Sequence, residues 1–447
     1  MKKPTFLIAA PKSNSGKTLV TLGLIRALAD LGLCVQPFKC GPDYIDPMHH
    51  AEIAGRPSYN LDLWMSSESH VMEVFNNQVK DADVGVVEGV MGLFDGALKD
   101  EGSSASVARL LDIPVVLVVD ASSVAYSVAP LLYGFKNFDK TIRLAGVIFN
   151  KVAGASHYQF LEEAASASGV KALGYIPRDK DLAIDDRHLG LHMPGESEGS
   201  RIVKKAAKHI REHVDLSTLL EESQMDFSEV TPELTTDSKK ISIAIASDKA
   251  FNFNYKANLD CLQEIGNVHY FSPLKDEQLP EADLLWLPGG YPELFAGELS
   301  RNELMMRSIR EFAHSGKAVV AECGGMMYLG KSIISKEGEV HEMAGIFDFS
   351  TSFEDMKLHL GYRQVLFDGM ELKGHEFHYS KLLNGHTTPE YEVKTARGKT
   401  IEMPVFRFNK VWASYMHLYL GEPGRMKSFL EQILEGSKVR GNNGRKV

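Results

Sequence analysis

The stretch APKSNSGKT, residues 10–18, is the strongest indication of the fold of the first half of the chain. It follows the apolar run TFLIAA (5–10) and precedes the helical pattern TLVTLGLIRALADLG (18–32). A buried strand, a glycine-containing loop ending in Gly-Lys-Thr and a helix are the context that a phosphate-binding loop requires. Because the backbone N–H groups and the helix N-terminus of such a loop bind phosphate oxygens, the stretch predicts a nucleotide site.

The side chains of this loop have distinct expected roles. Lys17 is predicted to reach the outer phosphates and the Thr18 hydroxyl to ligate Mg²⁺, so we expect ATP and Mg²⁺ as cofactors. Pro11 replaces the usual first glycine, and Lys12 stands where deviant Walker A loops carry an extra lysine. The alternative is a chance Gly-Lys-Thr in a loop, which the flanking strand and helix argue against. The residues expected to bind the nucleotide are Lys12, Ser15, Gly16, Lys17 and Thr18.

Apolar runs predict the fold class. DVGVVEG (83–89), IPVVLVVDA (113–121) and LAGVIFNKV (144–152) are continuous rather than alternating, which is typical of a parallel sheet covered on both faces. The strand pattern restarts at KISIAIASD (240–248) and ends with KVWASYMH (410–417). The sequence therefore predicts an α/β chain of two domains, the first built on a parallel sheet.

The composition changes between these two halves. Residues 213–240 are acidic and polar, contain a proline and show no strong strand pattern. We therefore predict a first domain over 1–212, a linker over 213–240, a second domain over 241–438 and a tail over 439–447.

Charge and cysteine content argue against several classes of function. The formal net charge is −10 and no basic stripe is evident, which disfavours nucleic-acid binding. The four cysteines lie far apart without a CxxC pair, which disfavours a zinc site or a disulfide framework. No stretch approaches the roughly 18 apolar residues of a membrane span. We expect a cytoplasmic protein that binds neither nucleic acid nor a membrane.

Carboxylates follow two of the predicted strands. The stretch FKCGPDYIDP carries Lys39, Asp43 and Asp46, and the stretch VVEGVMGLFDG carries Glu88 and Asp95. In a doubly wound sheet the carboxyl ends of the strands face one crevice. Several carboxylates beside a nucleotide suggest Mg²⁺ ligands or recognition of a substrate. Each acid alone could equally be a solvated loop charge, but their joint placement favours a site.

A cysteine in the second half has the surroundings of a nucleophile. Cys323 follows an apolar run and directly precedes two glycines, and a thiol nucleophile needs a base and N–H donors for an oxyanion. Gly324 supplies an N–H just after Cys323, and the glycine turn at Gly289 and Gly290 can present a second donor. His417, after the last apolar run, is the candidate base. The alternative is a buried core thiol with an unrelated surface histidine.

The stretch GHEFHYS (374–380) holds His375 and His378 at a spacing that also occurs in metal sites. A third ligand at usable spacing is not evident in the sequence. We therefore favour a structural or pocket-lining role over metal binding.

Taken together, the motifs resemble one family, the cobyrinic acid a,c-diamide synthases, which are glutamine-dependent amidotransferases of corrin biosynthesis. They follow the family's order across nearly the whole chain. GPDYIDP together with VEGVMGLFDG is highly specific, whereas the phosphate loop alone is not. The matching stretches are APKSNSGKT, FKCGPDYIDP, NLDLWM, VEGVMGLFDG, FNKVAG, GYIPRD, LPGGYPE, AECGGMMYLG, GHEFHYS and HLYLG.

The resemblance implies roles for the second domain, which is similar to class I glutamine amidotransferases. It implies that Cys323 attacks the glutamine amide and that His417 raises its nucleophilicity, with Gly290 and Gly324 as oxyanion donors. The wider class carries a glutamate two residues after the histidine, where this chain has Tyr419. The cobyrinic and cobyric acid branch also lacks that glutamate, so a Cys-His dyad is expected.

The resemblance also implies roles for the first domain, which is similar to dethiobiotin synthetase. Transfer of the ATP γ-phosphoryl group to a carboxylate would make an acyl phosphate that ammonia then attacks. Lys39 and Asn150 are expected on the nucleotide side, and Glu88 with Thr18 at Mg²⁺. The remaining implied residues are Asp46 and Asp95 as catalytic acids and Tyr44 and Ile45 as lining of the substrate pocket.

The expected reaction is amidation of the a and c acetate carboxylates of cobyrinic acid in cobalamin biosynthesis. Hydrogenobyrinic acid and Ni-sirohydrochlorin are alternative acceptors, because related synthetases share these motifs. A regulatory ATPase of the deviant Walker type is the alternative from another class, and it would not need Cys323 with His417. The expected partners are the tetrapyrrole, glutamine and ATP, with a homodimer left open.

Overall fold

The protein is described from a computed structural model over residues 2–182, 197–227, 240–384 and 391–435. The chain divides into two compact units, Met1–Glu233 and Leu234–Val447. Each unit is an α/β structure with its own hydrophobic core, which confirms the predicted fold class. Among the described residues no helix is long and apolar enough to cross a bilayer.

The N-terminal unit is built on one eight-stranded sheet. Its strands are β1 (Lys2–Ala9), β2 (Val35–Cys40), β3 (Tyr59–Leu61), β4 (Val84–Glu88), β5 (Val115–Asp120), β6 (Leu144–Val152), β7 (Ala172–Pro177) and β8 (Gln224–Asp226). Its α-helices are α1 (Lys17–Asp30), α2 (Ile45–Ala54), α3 (Glu68–Val79), α4 (Ser104–Leu111), α5 (Ala129–Phe138), α6 (Ala155–Ala167), α7 (Ser197–His213) and α8 (Leu216–Glu222).

Seven of these strands run parallel in the order β3-β2-β4-β1-β5-β6-β7, with β8 antiparallel to β1. β4 is buried along its whole length and β1 and β5 along most of theirs because helices cover both faces, as the continuous apolar runs predict. The loops after β1, β2, β4 and β6 therefore open at the same edge of the sheet. That edge is where ligands bind in doubly wound folds.

The prediction that 213–240 forms a linker is wrong for its first part. Leu216–Glu222 is helix α8, capped by the Asp215 side chain, which accepts a hydrogen bond from the Thr218 N–H at 3.0 Å. Leu219 has no exposed surface, and Met225 of β8 pairs with the backbone of Lys3. The buried side chains of Leu219 and Met225 are enough to attach this polar stretch to the sheet. The rest of the predicted linker, 228–239, lies outside the described residues, as does the predicted tail.

The C-terminal unit has a central six-stranded sheet and two smaller sheets. Its strands are β9 (Ile241–Ala246), β10 (Gly266–Phe271), β11 (Leu284–Leu287), β12 (Ala318–Glu322), β13 (Ser332–Ile334), β14 (Val340–Glu342), β15 (Ser350–Ser352), β16 (His359–Phe367), β17 (Met370–His378), β18 (Lys381–Leu383), β19 (Val393–Thr395), β20 (Thr400–Ile401), β21 (Val405–Phe408), β22 (Val411–Ser414) and β23 (Met416–Leu418). Its α-helices are α9 (Lys256–Ile265), α10 (Ala296–Arg301), α11 (Glu303–His314), α12 (Gly324–Leu329) and α13 (Arg425–Glu435).

The central sheet has the order β10-β9-β11-β12-β22-β21, in which only β21 is antiparallel. A five-stranded sheet, β20-β19-β16-β17-β23, ends on the strand that carries His417. A four-stranded sheet, β14-β13-β15-β18, completes the unit. The sequence did not predict the two smaller sheets, because their strands are short and mix polar with apolar residues.

The burial of Leu219 gives a stability prediction. Leu219→Ala should lower the free energy of unfolding by about 2–5 kcal/mol, because it removes a fully buried side chain. Leu31 is 57% exposed, and Leu31→Ala should change stability by less than about 0.5 kcal/mol. Urea unfolding of the full chain measures both. Equal effects at the two positions would show that α8 does not belong to the core.

Candidate functional site

The phosphate loop between β1 and α1 is closed by hydrogen bonds. The Asn150 side-chain amide donates to the Ser15 carbonyl at 3.0 Å, and the Ser15 hydroxyl donates to the Lys12 carbonyl at 2.9 Å. Gly16 has a φ of 89°, and a Cβ there would lie 2.1 Å from Asn150 Nδ2. Glycine is therefore required at this position by both conformation and space. Asn150, near the end of β6, holds the loop from a strand two positions away from β1 in the sheet.

The two residues that start α1 point into the edge of the sheet. Lys17 Nζ donates to the Met91 carbonyl at 2.5 Å, and Thr18 Oγ1 donates to Glu88 Oε1 at 2.6 Å. Burial lowers the pKa of Lys17, and the nearby Lys39 ammonium lowers it further. The loop after β4 thus contacts the phosphate loop directly.

A buried charge cluster lies at the same edge. Lys39 forms an ion pair with Asp46 and lies 3.0 Å from Glu88 Oε1, and all three side chains are buried. Burial would lower the pKa of Lys39, but the carboxylates of Asp46 and Glu88 raise it well above its ordinary value. Burial would raise the pKa of Glu88, but Lys39 and a hydrogen bond from His50 lower it. Burial and the neighbouring carboxylates of Asp43 and Glu88 raise the pKa of Asp46.

His50 is a member of this cluster that the sequence prediction missed. Its Nε2 lies 2.7 Å from Glu88 Oε2, and its Nδ1 lies 3.2 Å from Ser58 Oγ. Since an ionised carboxylate only accepts hydrogen bonds, Nε2 carries the proton. The sequence spacing could have revealed it, because His50 follows Asp46 by four residues and so lies on the same face of α2.

The other acidic and lining residues have clear positions. Asp43 Oδ1 accepts the N–H groups of Ile45 at 2.9 Å and Asp46 at 3.1 Å, so this carboxylate organises the start of α2. Tyr44 and Ile45 are buried beside it. Asp95 is exposed in the loop after β4, where its Oδ2 accepts the Gly92 N–H at 3.0 Å.

In the C-terminal unit, Cys323 lies on a sharp turn between β12 and α12. Its φ of 43° and ψ of −101° are rare for any residue other than glycine. The Cys323 N–H donates to the Ser414 carbonyl at 2.7 Å, and the thiol lies 3.7 Å from the Phe377 carbonyl. A strained residue on a strand-to-helix turn is typical of a nucleophile.

The glycine turns around Cys323 pack backbone against backbone. A Cβ on Gly324 would lie 3.1 Å from the Gly290 nitrogen, so the two predicted oxyanion donors lie side by side. A Cβ on Gly325 would lie 2.2 Å from the Leu287 carbonyl oxygen, which explains why a second glycine follows. The roles of these N–H groups in binding an oxyanion stay a prediction.

His417 lies on β23, opposite His375 of β17, and has no exposed surface. Its ring lies over Gly289, because a Cβ there would come within 2.2 Å of His417 Cε1. Burial lowers the pKa of His417 to about 3, and the nearby His375 contributes. Burial also raises the pKa of Cys323 well above its ordinary value, and Glu293 adds to the shift. The thiol and the imidazole are therefore both neutral at rest, and transfer of the thiol proton to His417 stays a prediction.

The GHEFHYS segment lines the region around this pair. Glu376 Oε2 accepts a hydrogen bond from Arg363 Nε at 2.6 Å. Glu376 Oε1 lies 2.9 Å from His378 Nε2. His378 Nδ1 lies 3.1 Å from the Ser380 carbonyl, and the ring stacks on Tyr415 with centroids 3.7 Å apart. Ligand atoms of His359, Glu376 and His378 lie within 4.8 Å of one another, whereas His375 is outside that group. Both nitrogens of His378 already have polar neighbours in the protein.

Comparison with known families gives the class of the chain. Residues 6–191 match the model of the CobQ/CobB/MinD/ParA nucleotide binding domain. Residues 242–424 match the model of the CobB/CobQ-like glutamine amidotransferase domain. A nucleotide-binding domain and a glutamine amidotransferase domain in one chain define a glutamine-dependent amidating ligase.

Individual similar proteins identify the family to which the chain belongs. A cobyrinate a,c-diamide synthase of Picrophilus torridus is 42% identical over 436 residues, which cover 94% of this chain and 96% of that protein. A hydrogenobyrinate a,c-diamide synthase of Brucella anthropi is 40% identical over 429 residues, covering 92% and 98%. A cobyrinate a,c-diamide synthase of Streptococcus sanguinis is 38% identical over 451 residues, covering 97% and 99%. The chain belongs to the family of the a,c-diamide synthases, which confirms the resemblance found in the sequence.

The contact between Gly289 and His417 yields a prediction for the glutaminase site. Gly289→Ala should lower glutamine-dependent turnover by roughly 10²-fold, because its methyl group would displace the imidazole by about 1 Å. Amidation with high ammonium salt should be retained. Steady-state assays with the two nitrogen sources measure this difference.

Gly297 offers a matched control in the same unit. A Cβ there would meet only ordinary contacts, the nearest being Arg301 at 3.6 Å. Gly297→Ala should therefore leave both activities unchanged. Normal glutamine-dependent turnover of Gly289→Ala would show that the position of the His417 ring does not limit the reaction.

Proposed function

We propose that this protein transfers the amide nitrogen of glutamine, with ATP as the energy source, to the a and c acetate carboxylates of cobyrinic acid in cobalamin biosynthesis. The observation that carries the proposal is the strained turn at Cys323, with the Gly290 nitrogen beside Gly324 and His417 over Gly289. Hydrogenobyrinic acid is the strongest alternative acceptor, because relatives with either name are almost equally similar to this chain.

The glutaminase half-reaction uses neutral groups at rest. His417 accepts the proton of the Cys323 thiol as the sulfur attacks the carbonyl carbon of the glutamine side chain. The oxyanion that forms accepts hydrogen bonds from the N–H groups of Gly290 and Gly324. His417 then gives its proton to the departing ammonia, and water hydrolyses the thioester to glutamate and free thiol.

The synthetase half-reaction activates the acceptor carboxylate. Direct attack of ammonia would require oxide as a leaving group, so the γ-phosphoryl group of ATP is first transferred to a carboxylate oxygen. Ammonia attacks the acyl phosphate and releases phosphate. Lys17 and Lys39 offset the negative charge that develops on the transferred group. Asp46 and Asp95 act at the acceptor carboxylate, while Tyr44 and Ile45 line the pocket for the ring.

Thr18 and Glu88 are the residues that would hold Mg²⁺. Their oxygens lie 2.6 Å apart beside the phosphate loop, and Mg²⁺ prefers oxygen ligands. When bound, the ion neutralises charge on the β- and γ-phosphates. Lys12, Ser15, Gly16 and Asn150 shape the loop around those phosphates.

A regulatory ATPase is the weaker alternative. Such a protein has no use for a cysteine on a strained turn, and its family would not include the amidotransferase domain matched over residues 242–424. A protein that hydrolyses ATP but releases no glutamate from glutamine would favour that alternative.

The acceptor is identified by mass spectrometry. The protein is incubated with ATP, Mg²⁺ and glutamine and with cobyrinic acid, hydrogenobyrinic acid or Ni-sirohydrochlorin in separate reactions. We expect the diamide of cobyrinic acid as the fastest product. Faster amidation of either other ring would reassign the substrate, and no amidation of any ring would contradict the proposed function.

Cys323→Ala separates the two half-reactions. The variant should lose glutamine-dependent amidation but keep amidation with high ammonium salt, because the synthetase reaction does not need the thiol. Cys261→Ala, which removes another thiol of the same unit, should keep both activities. Loss of both activities in a folded Cys323→Ala protein would contradict the division of labour.

Substitutions at Tyr419 and His417 test the expected dyad of Cys323 and His417. Tyr419→Phe should leave glutamine-dependent turnover near normal, whereas His417→Ala should lose it. The same assay with ammonium salt serves as the reference for each variant. An equal loss at the two positions would count against a dyad.

A substitution at Lys17 tests whether the phosphate loop is the site of phosphoryl transfer. Lys17→Ala should lower amidation by about 10²- to 10³-fold with either nitrogen source, because one preorganised electrostatic contact is lost. Lys140→Ala, which removes an exposed lysine of the same unit, should be neutral. Near-normal turnover of Lys17→Ala would show that this loop is not where phosphoryl transfer occurs.

A further inference from the structure

The orientation of His417 depends strongly on the backbone that carries it. The position two residues later holds Tyr419, which packs edge-on against Tyr255 with ring centroids 5.2 Å apart. No carboxylate can act on the imidazole from that position. The backbone hydrogen bonds of residues 416–420 therefore contribute to the position of the ring.

One edge of this segment is held by a strand. β17 pairs with β23 so that His375 lies opposite His417. The pairing continues past the strand, because the Tyr419 N–H donates to the Lys373 carbonyl at 3.0 Å. The pairing with β17 thus fixes the backbone of residues 417 and 419, which alternate with residue 418.

The other edge is held by two side chains, since β23 is the last strand of its sheet. Glu322 Oε1 accepts the Leu418 N–H at 2.9 Å. Asn258 Nδ2 donates to the Leu418 carbonyl at 2.8 Å, and Asn258 Oδ1 accepts the Leu420 N–H at 2.8 Å. Both side chains are 2% exposed. The asparagine amide thus takes the place of a peptide group in a neighbouring strand.

Glu322 also joins the base to the nucleophile. It is the last residue of β12 and directly precedes Cys323, whose N–H is bound to the Ser414 carbonyl at 2.7 Å. A single side chain therefore connects the turn that carries the thiol to the segment that carries the imidazole. Burial raises the pKa of Glu322 to about 8, which favours the neutral form of its carboxyl.

We propose that Glu322 and Asn258 are positioning residues of the glutaminase site, which hold Leu418 and thereby keep His417 over Gly289 and in register with Cys323. This inference rests on the proposed function of Cys323 and His417. Neither Glu322 nor Asn258 takes part in the chemistry. Their contribution is to hold the imidazole of His417 in its correct position.

Two substitutions at Glu322 test the proposal in the full chain. Glu322→Leu removes the acceptor and should lower glutamine-dependent kcat by roughly 10- to 100-fold with little change in KM, because the base is misplaced. Glu322→Gln keeps an oxygen that can accept the Leu418 N–H and should retain most of the activity. Ammonium-dependent amidation should be unchanged in both variants.

Asn258 gives an independent test with a matched control. Asn258→Asp keeps the acceptor for Leu420 but loses the donor to the Leu418 carbonyl, so kcat with glutamine should fall. Asn302 makes similar hydrogen bonds to backbone groups elsewhere in the unit, at Pro273, Asp276 and Met305. Asn302→Asp loses the same kind of donor and should leave kcat unchanged in the folded protein.

The outcomes are separable. Glu322→Gln as slow as Glu322→Leu would show that the carboxyl acts chemically, and a normal kcat in Glu322→Leu would show that the contact has no role. Either result overturns the proposal. If Glu322→Leu does not fold, as followed by the fluorescence of Trp286 and Trp412, the kcat of Asn258→Asp decides. Glutamine use by Cys323→Ala or His417→Ala would instead overturn the proposed function on which the inference rests.

Discussion

The carboxylate of Glu88 is the group on which the ligand-binding edge of the N-terminal unit depends. It has no exposed surface, and moving an ion out of water costs several kcal/mol unless partners replace the lost hydration. Lys39, Thr18 and His50 supply those partners, and they come from β2, α1 and α2. Because each partner lies on a different element, the requirement to stabilise one charge fixes the edge of the sheet where the phosphate loop lies.

In the C-terminal unit, by contrast, burial leaves the key groups uncharged. Burial favours the neutral forms of both Cys323 and His417, so the resting pair carries no charge. Geometry rather than charge prepares the site, through the strained backbone of Cys323 and the close approach of Gly289 to the imidazole. In the proposed reaction, charge would appear only as the bond to glutamine forms, and the N–H groups of Gly290 and Gly324 are the donors proposed to stabilise it.

Local patterns in the sequence predicted the parts of both sites that lie at strand ends. The strand, loop and helix around Lys17 and the glycines after Cys323 are short-range features, and the shared edge of a parallel sheet brings Lys39 and Glu88 together. The side chains that hold these groups were not predicted. Glu322 and Asn258 contact residues 96 and 160 positions away, and such pairs leave no periodic signal. The same holds for α8 and β8, where two buried side chains outweigh a polar composition.

The replacement of a carboxylate by Tyr419 changes what the fold must supply. In a triad, a charged third residue orients the imidazole and stabilises its protonated form. Tyr419 is buried against Tyr255 and offers no charge, so the protonated imidazole must be stabilised from elsewhere. Burial lowers the pKa of His417, the Glu376 carboxylate on β17 only partly opposes that shift, and Glu376 is itself paired with Arg363 and His378. Burial therefore favours the neutral imidazole of His417 despite this nearby carboxylate.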